Sequence, residues 1–439
     1  MPKLFPRTPA ALASLAACLA WPLSVHATNG MLLEGYGPVA AGMGGASMAV
    51  DNGLAAATNN PATLGLMAQG ARLDLAIGNL GPRVSSQAGP MSADSSGTSY
   101  VMPAFGYGRR DGAFSYGLAV FAQGGMGTDY GASSFLTMGS GQPVRSELGV
   151  GRAIVPLAWQ VDPALTLGGS LDLVWSTLDL KMAATGAALG ALVTQANGNL
   201  AAALPALGGA PWARLDFSDG SKFSGEAKSV GYAAKLGLLW QARPDLRVGA
   251  AWHLKTQLKD MRSSGGAATL SAPGFADVGR IVVQDFQMPQ QFAVGLAWQA
   301  SPDWLLAADV KHIGWSDVMD SFRMRFESSR MGGSVSFALP QQWRDQTVLQ
   351  LGAARRLGDW TLRGGVNVAS NPVPDRLVNP LFPAIVENHL TLGAGYRVSG
   401  AGEVNAAMAY APSVQVSTPT GVIVSHRQLN LQLMYSHRF

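Results

Sequence analysis

Apolar and polar residues alternate with a period of two along most of this chain. Val386, Leu390, Leu392, Ala394, Tyr396 and Val398 interleave with Glu387, His389, Thr391, Gly393, Gly395 and Arg397. Phe292, Val294, Leu296 and Trp298 alternate with Gln291, Ala293, Gly295 and Gln299, and Leu246, Val248, Ala250, Trp252 and Leu254 with Arg247, Gly249, His253 and Lys255. Such a period predicts strands with one apolar face. In a sandwich that face would meet a second sheet. Here nearly every strand carries one and the strands are long, so lipid outside and a polar lumen inside account for the pattern with a single closed sheet. The inward glycines are expected to leave lumen volume.

Very short connections at Arg109-Arg110-Asp111-Gly112, Asp162-Pro163, Arg243-Pro244-Asp245, Ser301-Pro302-Asp303, Leu357-Gly358-Asp359 and Ser399-Gly400-Ala401-Gly402 alternate with longer, irregular stretches. Short periplasmic turns and long extracellular loops are the outer-membrane barrel pattern. Strands are predicted near 70–82, 98–109, 113–127, 147–161, 164–181, 226–242, 245–260, 284–300, 303–318, 345–357, 359–370, 386–398, 402–414 and 425–439. The fold expected is therefore all-β: a 14-stranded antiparallel transmembrane β-barrel with both ends in the periplasm. Trp159, Trp175, Trp240, Trp252, Trp298, Trp304 and Trp360 fall near strand ends, where interfacial girdles want amphipathic rings. The last strand alternates Leu429, Leu431, Leu433 and Tyr435 and ends on Phe439, as barrels inserted by the outer-membrane assembly machinery do.

Composition narrows the class. Charged residues are 13% of 439 and hydrophobic residues 48%, too little charge for a soluble surface and too much apolar content for disorder. The chain beyond the leader has no run of about 18 strongly apolar residues, which disfavours membrane helices. Lys3 and Arg7 before the uncharged stretch 8–27, closed by Val25-His26-Ala27, read as a signal peptide over 1–27. The one cysteine, Cys18, lies inside it, in a stretch that also resembles a lipoprotein box. Without the leader the net charge falls from +4 to +2, with the basic residues scattered, so nucleic acid is not an expected partner.

Two regions depart from the strand pattern. Residues 28–68 are rich in Gly and Ala and long enough to fold into the lumen as a hatch, with Gly42-Met43-Gly44-Gly45-Ala46 allowing close backbone approach. Asn60-Pro61-Ala62 reads as a turn or helix start, with Pro61 at the first helical position. Residues 182–225 interrupt the barrel region 69–439. Leu189, Leu192, Val193, Ala196, Leu200, Leu204 and Leu207 fall at helical spacing and predict an amphipathic helix in a long extracellular loop. Such a helix either offers hydrophobic solutes a landing surface or packs on neighbouring loops. The third strand alternates Phe114, Tyr116, Leu118 and Val120, then meets Ala122-Gln123-Gly124-Gly125, where paired glycines permit an inward kink or end the strand.

Motifs for hydrolases, zinc proteases and phosphate loops are missing. No catalytic group, metal site or cofactor is expected, and the protein is not expected to be an enzyme. His253, His312, His389, His426 and His437 are widely separated, and His253 and His389 should face the lumen by alternation. Asp172, Lys235, Arg247, Lys255, Asp309, Lys311, Arg363, Glu387 and Arg397 should also point inward as a bracing network.

The stretches Asn29-Gly30, Gly42-Met43-Gly44-Gly45-Ala46, Asn60-Pro61-Ala62, Tyr116-Gly117-Leu118-Ala119, Met288-Pro289, Gly314-Trp315-Ser316 and Asn371-Pro372-Val373-Pro374, with the terminal Phe439, resemble the FadL/TodX family of outer-membrane hydrophobic-compound transporters. That resemblance implies an N-terminal α-helical hatch plugging the lumen and passive uptake of long-chain fatty acids or aromatic hydrocarbons. It implies capture at the extracellular loops, a hatch gate at Asn60, Pro61 and Ala62, and lateral exit into the membrane at the kinked strand, Ala122, Gln123, Gly124 and Gly125. Carboxylate-binding residues would fall near Lys181 and near Arg323 or Arg325, which could instead anchor loops or contact lipopolysaccharide. The expected setting is the outer membrane of a Gram-negative bacterium. The expected partners are a hydrophobic small-molecule substrate, outer-membrane lipid, lipopolysaccharide and, during biogenesis, the barrel assembly machinery, with the protein a monomer. A general porin, a barrel enzyme and an adhesin are the rival readings; a porin needs an open lumen, which residues 28–68 argue against.

Overall fold

The computed structural model describes residues 29–222 and 224–439. The leader read at 1–27, with Cys18, lies outside the described residues. Alternation builds long antiparallel strands, each paired with the next one around a closed circuit. They begin with β1 (Gly70–Ala88), β2 (Tyr100–Asp111), β3 (Phe114–Tyr130), β4 (Val144–Gln160) and β5 (Leu165–Ala184). The circuit continues through Ala227–Arg243, Leu246–His253, Gln291–Gln299, Trp304–Ile313, Gln346–Leu357, Trp360–Ala369, His389–Arg397, Gly402–Ser417 and Val422–Arg438. The last strand closes on β1 in unbroken register from Arg72↔Arg438 to Ala88↔Val422. Closure leaves no edge to satisfy inside lipid.

The expected count of fourteen undercounts the antiparallel sheet, in which 23 strands are hydrogen-bonded together. The additional strands run from two to ten residues and stand outside the closing circuit. Met91–Asp94 pairs with β1, and Ala213–Phe217, Ala268–Ala272, Phe275–Gln284, Ser321–Ser328, Ser334–Pro340 and Val193–Asn197 pair in succession above the end of β5. The strands among them of four or five residues carry too little alternation to be read from sequence.

The outer face is apolar, from Leu171 at 73% exposure and Tyr232 at 67% to Leu392 at 60%. Trp159, Trp240, Trp252, Trp298, Trp304 and Trp360 all stand exposed on it, as a girdle requires, whereas Trp175 is half-buried.

The expected α-helical hatch is also corrected. Residues 29–69 contain one α-helix of four residues, Pro38–Ala41, and two 3-10 helices, Gly53–Ala57 and Pro61–Leu66. The rest is irregular chain, and nearly all of it is buried inside the barrel. Glycine explains both features. Gly44 and Gly45 take positive φ of 68° and 91°, which a helix cannot use. The wall glycines do not leave empty lumen: a Cβ at Gly249 would strike the Met48 carbonyl, and one at Gly365 the Gly44 backbone. Small residues on both surfaces let hatch and wall meet backbone to backbone.

The single loop helix expected over 189–207 is instead two helices, Gly186–Ala191 and Gly198–Gly208, separated by the strand Val193–Asn197. That strand pairs with Ser334–Pro340, a tertiary contact that overrides the local helical spacing.

Candidate functional site

The wall is weakest between β2 and β3. These strands pair only from Phe105↔Val120 to Asp111↔Phe114. Above that, Tyr100–Ala104 have no ladder partner on β3, which continues on β4 alone with a register shift between Ala122 and Gly124. Gly124 adopts φ 156°, which side-chain-bearing residues rarely take. The hatch replaces the missing neighbour. Leu32 forms an isolated bridge with Gly124, and the Gly125 amide donates to the Met31 carbonyl at 3.1 Å.

Gln123 is held from two sides. Its carbonyl accepts the Tyr36 hydroxyl at 2.6 Å and its side-chain oxygen accepts Arg152 Nε at 2.6 Å. Burial pushes the Tyr36 phenol well above the ordinary tyrosine range, so it remains a donor. Arg152 also pairs with Asp172 at 2.7 Å, and Asp172 in turn binds Lys235 and Ser170. This buried cluster on β4, β5 and Ala227–Arg243 carries the expected bracing role for Asp172 and Lys235. Asp309 accepts the amides of Ser47 and Met48, so it braces the hatch instead. Arg397 and Lys255 are exposed at the barrel ends.

A cavity of about 410 Å³ lies between the start of the hatch and the wall. Both sides of the β2/β3 gap line it, through Val101 and Pro103 on one and Phe121 and Ala122 on the other. Leu80, Val84, Leu148, Val150 and Met31 make most of the remainder apolar. A smaller recess of about 30 Å³ joins Ala122 and Tyr36 to Ile77, whose side chain is on the outer face. A second cavity of about 420 Å³ lies in the long loop region, lined by Leu189, Val193, Leu204, Leu207, Leu270 and Phe337.

Asn60, Pro61 and Ala62 do not line the cavity at the β2/β3 gap. Asn60 donates to the carbonyls of Met48 at 2.7 Å and Leu238 at 3.1 Å and caps the helix that follows through the Ala62 amide at 3.1 Å. This pins the hatch to the wall where Gly168 and Gly237 leave room. The three candidate cations are not brought together in the cavity either. Lys181 is half-buried on β5, with Arg145 and Asp216 as its strand neighbours. Arg325 is committed to Glu327 at 2.8 Å, and exposed Arg323 faces a polar recess with Asp285, Asp317 and Asp320. Tyr36 and Arg152 escaped sequence reading. The lone Tyr in a Gly/Ala-rich segment and the lone cation in Gly149–Ile154 were their only signals.

A closed barrel, an internal plug and an apolar cavity at a break in the wall define an outer-membrane transport protein for hydrophobic compounds. The chain belongs to the outer membrane protein transport protein family (OMPP1/FadL/TodX), whose model matches residues 25–434. It is similar to the toluene transporter TodX of P. putida, with 32% identity, a TM-score of 0.83, and 93% of this chain and 99% of that one covered. The Ralstonia pickettii toluene transporter TbuX is also 32% identical, with a TM-score of 0.78 and the same coverage of 93% and 99%. A curated Chlorobium limicola protein from the 5' region of the phosphoenolpyruvate carboxykinase gene is 50% identical over 60 residues. The match spans 13% of this chain and 30% of that protein's length.

Proposed function

We propose that this protein carries small, monoaromatic-sized hydrophobic molecules across the outer membrane of a Gram-negative cell and releases them sideways into the bilayer. The observation that carries this reading is the apolar cavity of about 410 Å³ lined by both edges of the β2/β3 gap. Toluene transport by the two similar channels supports the substrate class. A hydrophobic solute gains by entering lipid directly, since a downward path returns it to water. Capture begins at the loop cavity walled by Leu189, Leu204 and Phe337. Lys181, Arg323 and Arg325 meet an acid at the rim, before it reaches the cavity. Asn60-Pro61-Ala62 acts as the anchor on which the hatch gates, and Ala122–Gly125 as the exit. Both chain ends face the periplasm, and 29–69 works as the plug of a barrel unit over 70–439.

The test is uptake of labelled toluene by cells that lack their own aromatic channels, with and without this protein. Equal uptake in both would remove the transport reading. Uptake that persists when β2 and β3 are cross-linked across the gap would remove the lateral exit alone.

A further inference from the structure

One corner of the cavity at the β2/β3 gap is polar, and four of its polar atoms are unused. His389 and His426 stand on the wall strands His389–Arg397 and Val422–Arg438, and Glu34 faces them from the hatch; all three line the cavity. They are 2%, 7% and 3% exposed. Among the described residues, both ring nitrogens of His389, Nε2 of His426 and Oε1 of Glu34 have no hydrogen-bond partner. Polar atoms this buried are normally paired, and leaving them unpaired is costly.

The chemistry of the missing partner follows from the bonds already made. His426 Nδ1 lies 2.7 Å from the Pro383 carbonyl. A carbonyl only accepts, so Nδ1 carries the proton, and in the neutral ring Nε2 is left as an acceptor. Glu34 Oε2 accepts from Asn430 at 3.2 Å, which leaves Oε1 as a further acceptor when the carboxyl is ionised. His389 offers one donor and one acceptor. The corner therefore needs a group that donates and can also accept. A hydrocarbon supplies neither. An ionised carboxylic acid brings only acceptors, facing the acceptor atoms of His426 and Glu34.

We propose that the cavity is built for a hydrophobic molecule bearing one hydroxyl group, an alkylphenol or aromatic alcohol, whose hydroxyl sits in the corner of His389, His426 and Glu34. This rests on the transport reading above and narrows its substrate. The apolar walls take the ring and alkyl part, and the hydroxyl replaces its bonds to water with bonds to the two imidazoles. The same corner discriminates against molecules of equal size that lack a donor, because they leave the buried nitrogens unpaired.

The experiment measures affinities of the purified full-length protein for three ligands of similar shape: para-xylene, 4-methylphenol and 4-methylanisole, which only accepts. The readout is each affinity relative to para-xylene, compared between wild type and H389L/H426L. The 4-methylphenol ratio should fall about tenfold or more in the variant, from two lost hydrogen bonds. The 4-methylanisole ratio should change far less. H426L alone should lower the 4-methylphenol ratio several-fold, and H389Q/H426Q should retain most of it, which separates lost bonding from a damaged barrel. A 4-methylphenol ratio unchanged in both leucine variants overturns the hydroxyl proposal and leaves transport of hydrocarbons standing. Failure of all three ligands to bind wild type overturns both readings.

Discussion

Tyr36 of the hatch donates a 2.6 Å hydrogen bond to the Gln123 carbonyl in the barrel wall, across 87 positions of chain. Gln123 itself is left out of the β3/β4 register, where the pairing shifts between Ala122 and Gly124. The plug is thus a structural partner of the unpaired stretch of β3, and not only an obstruction in the lumen.

Removing that bond should disturb the exit before it disturbs the barrel. Tyr36→Phe loses roughly 0.5–1.5 kcal/mol of net bonding and leaves the Gln123 carbonyl short of a partner. The barrel should keep its heat-modifiable mobility on gels, while uptake of labelled toluene falls several-fold. Burial raises the Tyr36 phenol above its usual value. The bond's contribution is therefore full at every pH below the free phenol's titration and is lost only far above it. Tyr36-dependent uptake should be flat from about pH 7 to 9.

Side chains at the paired glycines should close the gap. A Cβ at Gly124 would collide with the Met31 carbonyl, and one at Gly125 with the Leu148 carbonyl. Gly124 also sits at a φ of 156° that a side chain disfavours. Gly125→Val should abolish uptake while ligand binding at the loop cavity survives. Normal uptake by Gly125→Val would mean that the solute leaves by another route.

Arg152 positions the kink rather than the ligand. Arg152→Leu frees the Gln123 side chain but leaves Asp172 paired with Lys235 and Ser170. The barrel should fold, and amide exchange should rise selectively around Ala122–Gly125. Lys235→Leu keeps the Gln123 contact, so its exchange rise should centre on β5. Identical exchange maps for the two variants would show that Arg152 has no particular hold on the kink.

Asn60→Ala removes one bond inside the hatch, to the Met48 carbonyl, and one that ties the hatch to the wall, to the Leu238 carbonyl. The expected result is a folded barrel with a larger and noisier single-channel conductance in planar bilayers, and reduced toluene uptake. Wild-type conductance in the variant would make Asn60 a cap of its own short helix and no more.

Affinity should grow with apolar size until the cavity is full. Each added methylene contributes about 0.8 kcal/mol, near fourfold in affinity. Toluene, ethylbenzene and propylbenzene should follow that step, and longer alkylbenzenes should level off as about 410 Å³ is filled. A series with no rise at all would exclude this cavity as the binding site.

Sequence alone determined what depends on neighbours a few residues apart. The alternation Phe292, Val294, Leu296, Trp298 marks a lipid-facing row, and each of these side chains stands exposed on the outer face. A period of two survives translation into strands because each residue's face depends only on its own parity. The glycine pair at 124–125 marked a weak place in β3 by the same local reasoning. Tertiary structure decided the rest. The rim strands Val193–Asn197 and Ser334–Pro340 exist because they meet each other across about 140 residues, and neither has the length to announce itself. The direction of the kink depends on Met31, Tyr36 and Arg152 arriving from the hatch and from β4. Alternation pointed His389 inward, but only strand register and the buried hatch bring His426 and Glu34 to the same cavity. Contacts between residues far apart in the chain leave no period in the sequence, so nothing local encodes them.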